Sequence, residues 1–215
     1  MTGTFRRCRS PGNQETHTMH IYIVFAHPSQ KSFTYCVLQA FTAGLREAGH
    51  TFEIGDLYTM DFQTDMDLTQ YERETSLDPS LPVPADVELE QRKIDQADAL
   101  AFVYPVWWSD CPAKLKGWFD RVWTLGYAYS YENGEHAASS IKATKALVIC
   151  TAGHPVEHLE EIGIAPSMRC VMLNDRLHEV GISGVKMEIL GGMVNHDPVQ
   201  REKNLSQAYK LGRTF

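Results

Sequence analysis

The sequence lacks both glycine patterns that commonly cradle a phosphate between a strand and a helix. Its 15 glycines form no G-x-G-x-x-G and no G-x-x-x-x-G-K-[ST], which argues against a Rossmann-type dehydrogenase and against a P-loop ATPase. It lacks metal or redox cysteine spacing as well. The five cysteines, Cys8, Cys36, Cys111, Cys150 and Cys170, are odd in number and form no C-x-x-C pair, so reduced thiols in a cytoplasmic setting are expected. No apolar run approaches the roughly 18 residues of a membrane helix. Positive charge is also short: the formal net charge is −7, which argues against a nucleic-acid-binding surface. Hydrophobic residues at 43 % and charged residues at 22 % are ordinary globular values and exclude wholesale disorder.

The first 18 residues, "MTGTFRRCRSPGNQETHT", stand apart, with three arginines and neither strand nor helix period. They lack the apolar segment of a secretory signal, and a disordered extension is expected over 1–18. From residue 19 to 215 the pattern is that of one domain, within the size a single core supports.

In that domain continuous apolar runs alternate with amphipathic ones. Ile21 to Ala26, Ala99 to Val106 and "KALVICTAG" read as strands buried on both faces. Phe33, Val37, Ala40, Phe41, Gly44, Leu45 and Ala48 recur at helical spacing, and Gly49 follows as a C-terminal stop. "TFEIGDLY" reads as a short strand and "DVELEQRKIDQAD" as a helix. Pro112 opens another helix with the stripe Leu115, Trp118, Phe119, Val122 and Trp123. A helical region is expected from about Val156 to Val180, closed by Gly181, and "GVKMEIL" alternates as an edge strand does. Asp197 and Pro198 mark the start of a last helix. Residues 59–85, polar and carrying Pro79, Pro82 and Pro84, read as a long excursion with one helical piece near Leu68 to Glu74. Five strands alternating with helices predict an α/β doubly wound parallel sheet with helices on both faces.

In such sheets ligands bind beyond the carboxyl ends of the strands. Three loops qualify here. "AHPSQKSFTY" follows the first strand, where a helix start favours an anion and His27, Ser32 and Thr34 add donors; Ser32 reads equally as a plain N-cap. "YPVWWSDCPAK" places Pro105, Val106, Trp107, Trp108 and Ser109 at the mouth of a buried strand. Two adjacent tryptophans there call for a flat ligand or a packing partner. "TAGHPVEH" offers the small residues Thr151, Ala152 and Gly153, with His154 and His158 just beyond.

Taken together, "AHPSQKSF", "EQRKIDQADAL", "PAKLKGWFDRV", "GYAYSY" and "TAG", in this order across most of residues 20–153, resemble the NAD(P)H:quinone oxidoreductases of the DT-diaphorase-like branch. That resemblance implies a flavodoxin-like, three-layer α/β/α domain and a cytoplasmic homodimer. It implies a bound flavin, FAD or alternatively FMN; the 59–85 excursion favours FAD. Hydride would pass in ping-pong order from NAD(P)H to the flavin and then to a quinone. Carried over by position, His27, Ser32, Phe33 and Thr34 would hold the pyrophosphate, and Pro105, Val106, Trp107, Trp108 and Ser109 would line the isoalloxazine. Thr151, Ala152 and Gly153 would approach its polar rim. Tyr129 and Tyr131 would serve the partner's substrate pocket, and His158 falls near a family charge-relay tyrosine. Thr34, Trp107 and Ser109 depart from the mammalian pattern, which leaves the acceptor open among planar, electron-poor compounds. The alternatives are an FMN-dependent azo- or nitroreductase and a soluble regulatory subunit of a potassium-efflux system. No metal is implied.

Overall fold

The computed structural model describes residues 18–132, 135–137 and 139–215. The extension expected over 1–18 lies outside the described residues, Thr18 excepted. The chain runs β1 (His20–Phe25), α1 (Phe33–Glu47), β2 (Thr51–Asp56), α2 (Leu68–Thr75), α3 (Ala85–Asp95), β3 (Ala99–Pro105), α4 (Ala113–Val122), β4 (Ser130–Glu132) and β5 (Glu135–Ala137). It continues with β6 (Lys145–Thr151), α5 (Val156–Glu161), α6 (Ile164–Arg169), a π-helical stretch (Cys170–His178), β7 (Gly184–Leu190) and α7 (Pro198–Arg213).

Five strands form one parallel sheet in the order β2-β1-β3-β6-β7. The order reverses between β1 and β3, which makes the carboxyl ends of these two strands the switch point where such sheets bind ligands. Alternation divides each central strand between two cores. Ile21, Ile23 and Phe25 join Ala99, Ala101 and Val103 under α1 and α7, while Tyr22, Val24, Leu100, Phe102 and Tyr104 join Trp118 and Phe119 of α4 on the other face. The apolar runs read from the sequence are therefore continuous because both faces are covered.

α1 and α7 cross at two glycines. A Cβ built on Gly44 would strike the Tyr209 carbonyl and lie 2.8 Å from the Arg213 nitrogen; one built on Gly212 would strike the Phe41 carbonyl. The opposite layer is tied by polar groups inside it. Glu90 is fully buried; it accepts from the Tyr22 hydroxyl, from the Trp118 indole at 2.8 Å and from Lys93 at 2.8 Å. Burial, and then the Glu90 charge, push the Tyr22 phenol far above its usual range.

The long excursion is docked by the same means. Gln70 donates to the Arg121 carbonyl at 2.8 Å, and Arg121 answers through Nε to Gln70 at 2.8 Å while pairing with Asp86. Arg73 donates to the Leu81 carbonyl at 3.0 Å and to the Leu125 carbonyl at 3.0 Å.

Two expectations change. The helical region from 156 to 180 is broken at Gly163, whose φ of 78° ends α5 and lets α6 start in a new direction. "GYAYSY" leads into a two-stranded hairpin, β4 with β5, which alternation over three residues did not announce.

Gly44→Ala gains about 1 kcal/mol of helix propensity, but the new methyl meets backbone that cannot rotate away. A net loss of about 1–3 kcal/mol is expected. Chemical denaturation measures it; unchanged or higher stability would contradict the crossing.

Candidate active site at the strand mouth

The register brings the three loops to one level. Ala26 donates to the Val103 carbonyl at 3.1 Å, and Val106 donates to the Thr151 carbonyl at 2.8 Å. The loops after β1, β3 and β6 therefore leave the sheet side by side.

The first loop turns at His27. Nδ1 lies 2.9 Å from the Ser29 amide and 3.1 Å from the Ser29 carbonyl; in the neutral tautomer that accepts the amide, the ring proton sits on Nε2 and can be donated. Partial burial holds the His27 pKa below its usual value, against the opposing Ser29 carbonyl. Ser32 caps α1: its Oγ accepts from Tyr35 at 3.1 Å. Cys36 makes the first intrahelical bond, to the Ser32 carbonyl, and the amides of Phe33 and Thr34 belong to the unpaired first turn. Arg201 of α7 lies over the Phe33 ring at 4.6 Å and 3.4 Å from Cys36 Sγ. A cation thus stands beside that helix start, favourable for a bound anion.

Thr34 is placed differently from its loop neighbours. It is 2 % exposed, and its hydroxyl bonds that of Thr151 at 2.8 Å. The pair is a strut between the first and third loops, behind the surface rather than on it.

The second loop is a two-residue turn. Trp107 donates to the Asp110 carbonyl at 2.9 Å and Asp110 to the Trp107 carbonyl at 3.2 Å. Between them Trp108 and Ser109 have φ of 48° and 68°, a left-handed pair that costs roughly 1–3 kcal/mol for each non-glycine residue. Trp108 is wholly exposed, at 102 %. Trp107 is half exposed, its ring 6.1 Å from that of His27. A strained turn that presents an indole to solvent is a candidate for ligand or partner contact. Asp110 anchors the turn. Burial pushes its carboxyl up, but the Arg176 guanidinium and the Cys111 amide outweigh this and hold it below the usual range.

The third loop is laced to the segment after β7: Gly192, Met193 and Val194 donate to the carbonyls of His154, Ala152 and Gly153 at 2.9, 3.2 and 3.0 Å. Ala152 is buried and Gly153 exposed. A Cβ at Gly153 would meet only Val194, at 3.8 Å, so the missing side chain leaves open space. His154 and His158 are exposed with ring centroids 5.2 Å apart.

The structure thus brings together His27, Ser32, Trp107, Thr34, Val106 and Thr151. It puts Tyr129 and Tyr131 beside α2, rings 5.9 Å apart, with the Tyr129 hydroxyl 3.4 Å from Glu74. Among the described residues no group of three or more His, Cys, Asp or Glu could hold a metal, and no helix is long and apolar enough to cross a membrane. Sequence reasoning missed Arg201 and the Asp110–Arg176 pair, since neither arginine lies in a motif.

A family model described as Flavodoxin-like fold matches residues 19–211. An NAD(P)H oxidoreductase of Haemophilus influenzae is 33 % identical over 174 residues, 80 % of this chain and 84 % of that protein. NAD(P)H dehydrogenase [quinone] 1 of Cavia porcellus is 30 % identical over 82 % of this chain and 69 % of its own. The solved NAD(P)H:quinone oxidoreductase from Methanothermobacter marburgensis is 58 % identical, with a TM-score of 0.87 over 92 % of this chain and 96 % of that one.

Thr34→Val should cost about 1–3 kcal/mol, because it leaves the buried Thr151 hydroxyl without its partner. Denaturant unfolding reads this; a loss below the error of the method would show that the strut carries nothing.

Proposed function

From a chain that belongs to the flavodoxin-like family of NAD(P)H:quinone oxidoreductases, we propose that the strand mouth holds a flavin and works as a two-electron NAD(P)H:quinone oxidoreductase. The observation that carries the reading is the Trp107–Asp110 turn, which holds a wholly exposed indole at the switch point. The residues present fit such a group. An open glycine at 153, a helix start with Arg201 beside it and two tryptophans offer room, countercharge and stacking surface to one flat anionic molecule.

The flavin supplies the hydride chemistry between NAD(P)H and the quinone when bound. The chain orients it. Amides at the start of α1, the Ser32 loop and the Nε2–H of His27 hold its phosphate groups, with Arg201 as countercharge. Pro105, Val106, Trp107, Trp108 and Ser109 wall the ring. The Thr151–Gly153 segment approaches the ring rim, where reduction adds negative charge that backbone donors stabilise. Thr34 acts from behind through Thr151. His158, exposed on α5 beside His154, is assigned the proton exchange at the rim.

FAD is the form proposed, with FMN the alternative, and the protein is proposed to be cytoplasmic and dimeric. Leu68, Tyr71, Leu77 and Leu81 are exposed on the excursion, and Leu77 shares a pocket with Ser130 and Tyr131 of the hairpin; these are the apolar groups a second copy would cover. Tyr129 and Tyr131 then line the partner's acceptor pocket.

Heating the purified protein should release a flavin identifiable by mass. Initial rates with NAD(P)H and quinone both varied should give parallel double-reciprocal lines. Trp108→Ala should leave thermal stability unchanged, because the ring is exposed, and weaken flavin binding at least tenfold, about 1.4 kcal/mol of lost stacking. A colourless protein that binds neither FMN nor FAD and oxidises no NAD(P)H would overturn the reading in favour of a regulatory subunit.

A further inference from the structure

Two successive left-handed residues, neither of them glycine, do not hold themselves. On its entry side the Trp107–Asp110 turn hangs from the sheet through Val106. On its exit side one carboxylate closes it. Asp110 Oδ1 accepts the Cys111 amide at 2.7 Å, and the Arg176 guanidinium grips both carboxylate oxygens at 3.1 and 3.0 Å.

Arg176 comes from the π-helical stretch, 66 residues away in sequence. Its side chain is only 8 % exposed. The guanidinium lies over the Phe119 ring at 5.4 Å and 3.5 Å from Cys111 Sγ, and its carbonyl accepts the Trp123 indole N–H at 2.8 Å. The arginine is thus itself fixed by α4 before it reaches the turn. A planar fork on two oxygens sets the orientation of its partner as well as its distance, which a lysine cannot do.

We propose that Arg176 is a positioning residue: by gripping Asp110 it keeps the turn closed and holds the Trp108 ring in the geometry that meets the flavin. Arg176 touches no reacting atom and acts only through Trp108. The inference rests on the flavin reading above, and the two fail separately. A purely structural ion pair would stabilise the fold and leave the contribution of Trp108 to flavin binding untouched.

The test uses Asp110→Asn and Arg176→Lys. The first keeps the shape of a side chain that is 45 % exposed and one oxygen for the guanidinium, and the second keeps the charge without the fork; thermal unfolding of each apoprotein checks that the core is retained. On the apoprotein, the Trp107 and Asp110 amides should exchange with deuterium at least tenfold faster in each variant, with the β3 amides unchanged. On titration with FAD and FMN, Trp108→Ala should cost at least tenfold in the native chain but less than threefold in either variant, since an unpositioned ring has little left to lose. Additive costs, unchanged exchange at the turn, or equal acceleration across β3 would each overturn the proposal. A native chain that binds neither flavin overturns the functional reading instead, and the clamp then stands or falls on amide exchange alone.

Discussion

The parallel hydrogen-bond ladder through β1, β3 and β6 decides where every functional group can be. Because Phe25 pairs with Val103 and Pro105 with Thr151, the three strands end at one level and their loops emerge as neighbours. The ladder survives only if both faces of the sheet are dry. α1 with α7 covers one face through a glycine crossing, and α3 with α4 covers the other around buried Glu90. Loops built on this frame can carry costly local geometry, such as the left-handed Trp108 and Ser109, because the frame does not yield to relieve it.

Buried charge is used in a consistent way. Glu90, Arg73, Arg121 and Arg176 are each nearly or fully removed from water, and each is met by several hydrogen-bonding partners. Such groups add little net stability compared with apolar replacements, but breaking one pair strands the other member, at a cost of about 3–5 kcal/mol. Their effect is therefore to fix geometry. Arg73 and Arg121 weld the excursion to α4, and Arg176 welds the indole turn to the opposite wall.

Much of this was legible in the sequence, because the signals are local. Runs buried on both faces gave β1, β3 and β6, periodicity gave α1 and α4, and Asp197–Pro198 marked the start of α7 within a residue. The three mouth loops followed from the doubly wound order alone. What escaped depends on contacts between distant residues. Asp110 finds Arg176, and Thr34 finds Thr151 117 residues on, only after the sheet forms. Nothing in "WWSD" foretells two positive φ angles without a glycine. The hairpin of β4 and β5 is too short for alternation to register, and Gly163 broke a region whose composition reads as helix throughout.

The central claim is that a flavin lies across the switch point. Hydrogen exchange of the apoprotein with and without saturating FAD or FMN tests it most directly. Bound flavin should slow exchange in residues 27–34, 105–110 and 151–154 and leave the rest of the sheet unchanged. Protection confined to the cavity of about 520 Å³ along β7, lined by Glu188, Gly192, Lys203 and Asn204, would contradict it.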